Sequence, residues 1–456
     1  MPLTRRSRSV VAACGRAAIV WLGVATVAAA EQPLDAGGLL AVSGATAVWL
    51  VSLRIASANA PYALGPWVPA AVGTATGLVC VMAVNPYLPG LELSLISLCG
   101  AAAGVLLSAG TWETILERTG QRRVLVIGTN AVAEIADAAR RERRVPFDIL
   151  GTSALPATEP EAVPSSLRDL EALADVVDAQ QPDVIVLADG ESCSAALERL
   201  LDMTDRRFRV AGLTSFYEYA FGWLPLDHLT PMWFLSLLHL RQRPGRRPSK
   251  RVFDVVLAGG GLVLTVLLLP VLALLVMQTP GPLVYRQTRV GERGRRFTMY
   301  KFRTMPPGAE RPGEPVFAQA HDPRASAAGR FLRRTHLDEL PQLWNVLKGD
   351  MSIVGPRPER PEFVEMLEAA IPFWSRRLLM KPGMTGWAQV RCGYASDCAG
   401  AAEKLSYDFW YMRHGSLAVD LAVCIETVVQ ALELFSPRRG TTRRRHSVGE
   451  MPDGAT

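Results

Sequence analysis

Val255–Met277 is an uncharged run of 23 residues with cations on both sides. Lys250 and Arg251 precede it, and Arg286, Arg289, Arg293, Arg295 and Arg296 follow it. A helix of that length can cross a hydrocarbon core of about 30 Å. Lys and Arg, however, collect on the cytoplasmic side of a membrane, so both flanks ask for the same face. A hairpin-like re-entrant helix over residues 255–277 satisfies them, with a bend at Pro270, which removes one helical hydrogen bond. The competing reading is a full span, which would carry everything downstream to the far side.

Four further apolar runs fill residues 1–120: Val10–Ala30, Ala36–Ala56, Trp67–Val84 and Leu93–Trp112. Arg16 interrupts the first, whose basic start and Ala28-Ala29-Ala30 also resemble a cleavable signal peptide; an uncleaved first span is the expectation kept. The loops Glu31–Asp35 and Asn85–Glu92 have no basic residue, whereas the N-terminus, Arg54 and Arg118 to Arg123 do. Both ends of a four-helix transmembrane unit are therefore expected in the cytoplasm. With 456 residues, 49% of them hydrophobic and 20% charged, the chain has room for about three domains, part of it in lipid. The net charge of +6 comes largely from arginine clusters suited to anionic headgroups or phosphates. No zinc-finger spacing or RNA-binding aromatic motif accompanies them, so no nucleic-acid partner is expected. The seven cysteines are scattered without a C-x-x-C pair and give neither a disulfide framework nor a metal site.

Residues 121–240 change character. Buried-strand patterns at Arg123–Gly128, Asp183–Ala188 and Arg209–Leu213 alternate with helical stretches at Ala131–Arg143, Leu167–Ala179 and Ala195–Asp205. Such alternation predicts a doubly wound, parallel α/β sheet of Rossmann-like type. The first turn, Gly128 to Ala133, carries Asn130 where a dinucleotide fingerprint has its middle glycine. The module is therefore read as binding a nucleotide weakly or not at all.

Residues 241–440 hold the chemistry. Arg241–Arg251 reads as a proline-broken basic linker on anionic headgroups. In Phe297–Met305, strand alternation puts Lys301 and Arg303 on one face, either as a diphosphate clamp or as an ordinary solvated edge. Arg330–Pro361 sets Asp338 and Glu339 between Arg333, Arg334 and the arginine-bearing turn Arg357–Arg360. Leu340, Leu343, Trp344 and Leu347 follow helical spacing, and Pro341 is tolerated only in a first turn, so a helix is expected from about Asp338 to Lys348, stopping at Gly349. The acidic pair then lies at the positive end of the dipole, serving either as cap or as part of a phosphate site. Two carboxylates against a diphosphate need a counter-ion, which Mg²⁺ on one carboxylate would supply. One acid could then attack phosphorus. Prolines restrict Arg357 on both sides, which suits bidentate phosphate contact. Residues 363–380 read as an interfacial helix, Lys381–Val390 as a turn and strand, and Lys404–Arg413 as either an aromatic belt or a substrate surface around Asp408. Residues 441–456 are expected to form a basic disordered tail.

From Lys250 to Glu433 the chain resembles the bacterial initiating sugar transferases, polyprenol-phosphate phosphoglycosyl transferases with one re-entrant membrane helix. The motifs are Lys250–Asp254 (KRVFD), Tyr300–Met305 (YKFRTM), Leu337–Gln342 (LDELPQ), Asn345–Met351 (NVLKGDM), Gly355–Pro358 (GPRP) and Lys381–Gln389 (KPGMTGWAQ). The resemblance implies that Asp338 is nucleophile and Mg²⁺ ligand, Glu339 a supporting carboxylate, and Arg333 and Arg357 phosphate-binding. It implies transfer of a sugar-1-phosphate from a UDP-sugar to undecaprenyl phosphate with release of UMP, starting an exopolysaccharide or another lipid-linked glycan. The four spans and the Rossmann-like module resemble the larger members. Leu269-Pro270 replaces the family's frequent Ser-Pro, and His336 stands where a small residue is common.

The resulting fold class is a multi-pass α-helical membrane protein with a Rossmann-like cytoplasmic domain and an α+β membrane-associated catalytic domain. Its expected location is the bacterial inner membrane, with both of those domains cytoplasmic. Expected partners are membrane lipids, a second copy of the chain and other polysaccharide-assembly proteins. Two other functions compete: a membrane-bound nucleotide-sugar oxidoreductase or epimerase, weakened by Asn130, and a non-enzymatic scaffold for glycan assembly.

Overall fold

The structure is a computed structural model that describes residues 5–31, 36–59, 64–85, 94–119, 122–127, 131–141, 147–150, 167–188, 191–203, 205–206, 208–241, 246–278, 280–306, 308, 324–392 and 398–433. The chain divides into two compact units, Met1–Gly222 and Trp223–Thr456. Residues 223–241, which the sequence groups with the α/β module, thus belong to the second unit. There Leu224 N–H donates to Ser406 O and Trp233 packs on Phe409. The Gly128–Asn130 turn and the 441–456 tail lie outside the described residues.

The first unit opens with helices α1 (Arg5–Glu31), α2 (Ala36–Asn59), α3 (Trp67–Val84) and α4 (Leu95–Thr119). All four are long and apolar enough to cross a membrane. They pack through small residues, which let helices approach closely where lipid gives no hydrophobic drive. A side chain at Gly73 or Gly77 of α3 would run into Leu53 or Trp49 of α2, and Trp49 Nε1–H donates to Thr74 O at 3.1 Å. Arg16, the charge that breaks the first run, is ion-paired with Glu113 of α4.

Then follow β1 (Arg122–Ile127), α5 (Ala131–Arg141), β2 (Phe147–Leu150), α6 (Leu167–Gln180), β3 (Val184–Leu187), α7 (Glu191–Leu201), β4 (Arg209–Gly212) and α8 (Leu213–Ala220). The four strands form one parallel sheet in the order β2-β1-β3-β4. β3, all valine, isoleucine and leucine, is fully buried, as expected of a parallel strand covered on both faces. β2, a short edge strand, was not foreseen from the sequence.

The second unit contains α9 (Pro231–Arg241), α10 (Arg246–Val276), β5 (Val284–Val290), β6 (Arg296–Phe302), α11 (Ala327–Arg334), α12 (Gln342–Lys348), β7 (Ser352–Val354), α13 (Pro361–Ala370), β8 (Gly383–Thr385), α14 (Trp387–Arg391), α15 (Cys398–His414) and α16 (Leu417–Glu433). The long helix α10 starts nine residues before the expected 255. Its Pro248 sits in the first turn, where a missing N–H costs nothing, so the basic segment from Arg246 is helical rather than an open linker. At 31 residues, α10 is about 46 Å long. Its middle is bare apolar surface: Val263, Leu264, Val266, Leu267 and Leu274 are all more than half exposed.

Both ends of α10 are tied to one body. At its start, Asp254 accepts from Ser352 Oγ and Ile353 N–H, each at 3.0 Å. Lys250 reaches Val354 O at 3.1 Å and Asp420 at 2.9 Å. Arg251 donates to Val346 O and Leu347 O, capping the carbonyl end of α12. At its finish, Leu272 and Val276 pack with Phe302 and Leu332, and Arg303 donates to Val276 O at 3.3 Å.

Several local expectations change. Residues 363–380 are not one interfacial helix: the backbone breaks at Phe373, which is left-handed at φ 62°, and a 3₁₀ stretch, Trp374–Leu379, follows. Trp374 and Arg377 are buried. Trp387–Val390 is helical, not extended. Tyr407, Phe409, Trp410 and Tyr411 are core residues rather than a belt.

Candidate active site

The acidic pair occupies a short 3₁₀ turn, Leu337–Glu339, and not the first turn of α12. Pro341 is the reason. Lacking an N–H, it cannot donate to Leu337 O in an α-helical bond. Leu340 N–H takes that carbonyl instead, and α12 begins only at Gln342. His336 enters the turn with left-handed φ of 57°, a conformation uncommon outside glycine but one that histidine adopts more readily than most side chains. The helical spacing read from Leu340, Leu343, Trp344 and Leu347 also divides differently. Gln342, Leu343, Asn345 and Val346 face inward, while Trp344 is 56% exposed.

Asp338 and Glu339 are both buried, each 6% exposed, yet they meet different surroundings. Glu339 Oε1 receives Lys301 Nζ at 2.8 Å and Arg357 Nη2 at 3.0 Å. Burial alone would raise its pKa, but these two cations override it and hold the carboxyl well below the usual carboxylate range. Among the described residues, no hydrogen bond or ion pair engages the Asp338 carboxylate. Burial first, and the neighbouring Glu339 charge second, push it up to about 6, against the opposing fields of Lys301, Arg333 and Arg357. The two acids thus divide into a clamped anion and an uncommitted carboxylate. Burial also pulls Lys301 down, opposed by Glu339.

The other expected residues scatter around this pair. Arg333 Nε–H donates to Thr304 Oγ1 at 2.8 Å while its charge is felt at Asp338. Arg303 still follows the β5–β6 register, its N–H donating to Leu283 O at 3.1 Å, and its side chain is buried against the end of α10, where Nη2 donates to Val276 O.

Three features went unforeseen. Asn345, fully buried, accepts from Tyr300 N–H at 3.2 Å and donates to Thr298 O at 2.7 Å. Its amide substitutes for a neighbouring strand on β6 and so fixes where Lys301 lies. The second is the support of the Arg357 turn. Val354 O accepts from Lys250 and Tyr411, Pro356 O from Gly383 N–H, Arg357 O from Arg377, Pro358 O from Arg289, and Glu359 O from Val290 N–H. The third is Asp408, singled out by the sequence but without a partner there, which holds Arg377 at 2.8 Å.

Among the described residues no group of three or more His, Cys, Asp or Glu side chains converges as a metal cage. A single uncommitted carboxylate, Asp338, fits a Mg²⁺ ion that takes its other ligands from substrate phosphates and water.

Residues 245–433 match the family described as bacterial sugar transferase. The chain is 39% identical over 218 residues to the Aeromonas hydrophila UDP-N-acetylgalactosamine-undecaprenyl-phosphate N-acetylgalactosaminephosphotransferase, covering 48% of this chain and 51% of that protein. It thus spans about half the length of that curated relative. It is 40% identical over 189 residues to a Caulobacter vibrioides UDP-glucose:undecaprenyl-phosphate glucose-1-phosphate transferase, covering 40% and 69%. It is 37% identical over 189 residues to the exopolysaccharide production protein PSS of Rhizobium leguminosarum bv. phaseoli, covering 40% and 94%. The family match covers the part of this chain that carries the acidic pair and its cations, and on these matches the chain belongs to the bacterial sugar transferase family.

Proposed function

We propose that the chain transfers a sugar-1-phosphate from a UDP-sugar to undecaprenyl phosphate. The observation that carries this reading is the division of the dyad: Glu339 neutralised by Lys301 and Arg357, Asp338 buried beside them and uncommitted. An Asp338 carboxylate oxygen attacks the sugar-bearing phosphorus, the phosphoanhydride bond breaks, and UMP leaves with the bond's electrons. An oxygen of undecaprenyl phosphate then attacks the phosphoryl-aspartate, restoring the carboxylate and giving a lipid diphosphate sugar. Glu339 keeps Lys301 and Arg357 in place, and with Arg333 they face the phosphate charge. A Mg²⁺ ion held by Asp338 would neutralise diphosphate charge.

The same reading places the chain in the inner membrane, with a Rossmann-like module and the catalytic unit both cytoplasmic. Re-entry of α10 is supported by its two ends. If it crossed the bilayer, the α12 partners of Arg251 and the β6 partner of Val276 would lie on opposite faces, yet β6 and α12 are joined by Asn345. The test is UMP release by purified chain given UDP-sugar and undecaprenyl phosphate. Asp338→Asn abolishes it on this account; an Asn variant retaining most of the activity removes the nucleophile assignment.

A further inference from the structure

Arg377 and Asp408 lie outside the dyad and its cations. Both are buried, Arg377 on the 3₁₀ stretch and Asp408 on α15, 31 residues apart in the chain. A charged pair in the interior is costly unless its geometry is good and its remaining groups are bonded. Here one guanidinium nitrogen serves two acceptors: Arg377 Nη2 donates to Asp408 Oδ2 at 2.8 Å and to Arg357 O at 3.1 Å. The guanidinium also lies over the Trp374 ring, 4.5 Å from its centroid, and Nη1 is 3.8 Å from Glu359. Burial raises the Asp408 pKa and Arg377 opposes the rise.

The residue whose carbonyl is held is the one whose side chain reaches Glu339. The peptides entering Arg357 and Pro358 are flanked by prolines 356 and 358, so backbone donors are scarce in this turn. Within a turn held at Val354, Pro356, Pro358 and Glu359, the Arg377 bond is the one made to the carbonyl of Arg357 itself. A lysine at 377 could still pair with Asp408, but it lacks the planar fork that spans carboxylate, carbonyl and indole face together.

We propose that Arg377, oriented by Asp408, is a positioning residue that sets the aim of Arg357 at the reacting phosphate. The inference rests on the phosphate-binding reading of Arg357 given above. Arg377 touches no substrate and acts only through the turn.

The test is a double-mutant cycle on purified full-length chain, read as kcat/KM for UMP release. The substrate is whichever of UDP-glucose, UDP-galactose and UDP-N-acetylgalactosamine the parent turns over fastest. Arg377→Lys and Asp408→Asn each lower kcat/KM by about 10- to 100-fold, the scale of a misplaced positioning group. In an Arg357→Ala background the same changes cost less than about twofold, because the residue they act through is gone. Losses of equal size in both backgrounds overturn the proposal and leave the pair a purely structural bridge. If Asp408→Asn does not fold, Arg377→Lys, which keeps a buried cation beside Asp408, decides alone. An Arg357→Ala chain as active as its parent would instead remove the phosphate reading, and this inference with it.

Discussion

Two carboxylates adjacent in the chain face opposite directions chemically, and the cause is which cations each can reach. Glu339 has Lys301 and Arg357 within 3.0 Å, while Asp338 has only their field at a distance and pays for burial. Removing one partner of a buried charge leaves it undercompensated, so Lys301→Met should destabilise the folded unit by about 1–3 kcal/mol. It should lower UMP release as well, read from denaturation midpoints and initial rates on the same preparation. Lys301→Arg keeps the charge and should recover most of the midpoint. The acids and most of the cations were legible in the sequence, because they sit in one short stretch. Asp408 was visible only as a lone acid among aromatics. Its partner Arg377 is 31 residues away, and nothing local in the spacing connects them.

At the scale of elements, the apolar runs translated almost directly into α1 to α4, since a run's ends are fixed by where charge and proline begin. Strand β2 is only 4 residues and too short to leave a periodic signal. Pro341 permits the first turn of a helix at the acidic pair; it also permits a 3₁₀ turn ahead of the helix, which the hydrogen bonds select. The β7–β8 pair is the element that most constrains the site, as it carries the Arg357 turn. A Cβ at Gly355 would lie 2.5 Å from Lys381 O and 2.9 Å from Gly383 N, both backbone atoms that cannot swing away. Gly355→Ala should therefore cost about 1–3 kcal/mol and lower the thermal midpoint of the second unit. Gly212→Ala, which meets nothing within 4 Å, serves as the control and should shift little.

At the scale of the whole molecule, every residue assigned to the chemistry lies in the unit Trp223–Thr456. The family match, over residues 245–433, also lies within that unit. A chain beginning at Trp223 should therefore keep UMP release within about tenfold of the parent; complete loss in a folded, membrane-bound fragment would assign residues 1–222 a direct part. Chelation by EDTA should stop UMP release, and Mg²⁺ should restore it, since a single carboxylate leaves the ion's other positions to water and phosphate. The order of events at Asp338 gives the most direct test. Purified chain is incubated with UDP-sugar and Mg²⁺ in the absence of undecaprenyl phosphate, and the peptides are then weighed by mass spectrometry. The account predicts one UMP per active chain and a sugar-phosphate adduct on the peptide containing Asp338. No UMP and no adduct until the lipid phosphate is added, or an adduct on a different residue, would contradict it.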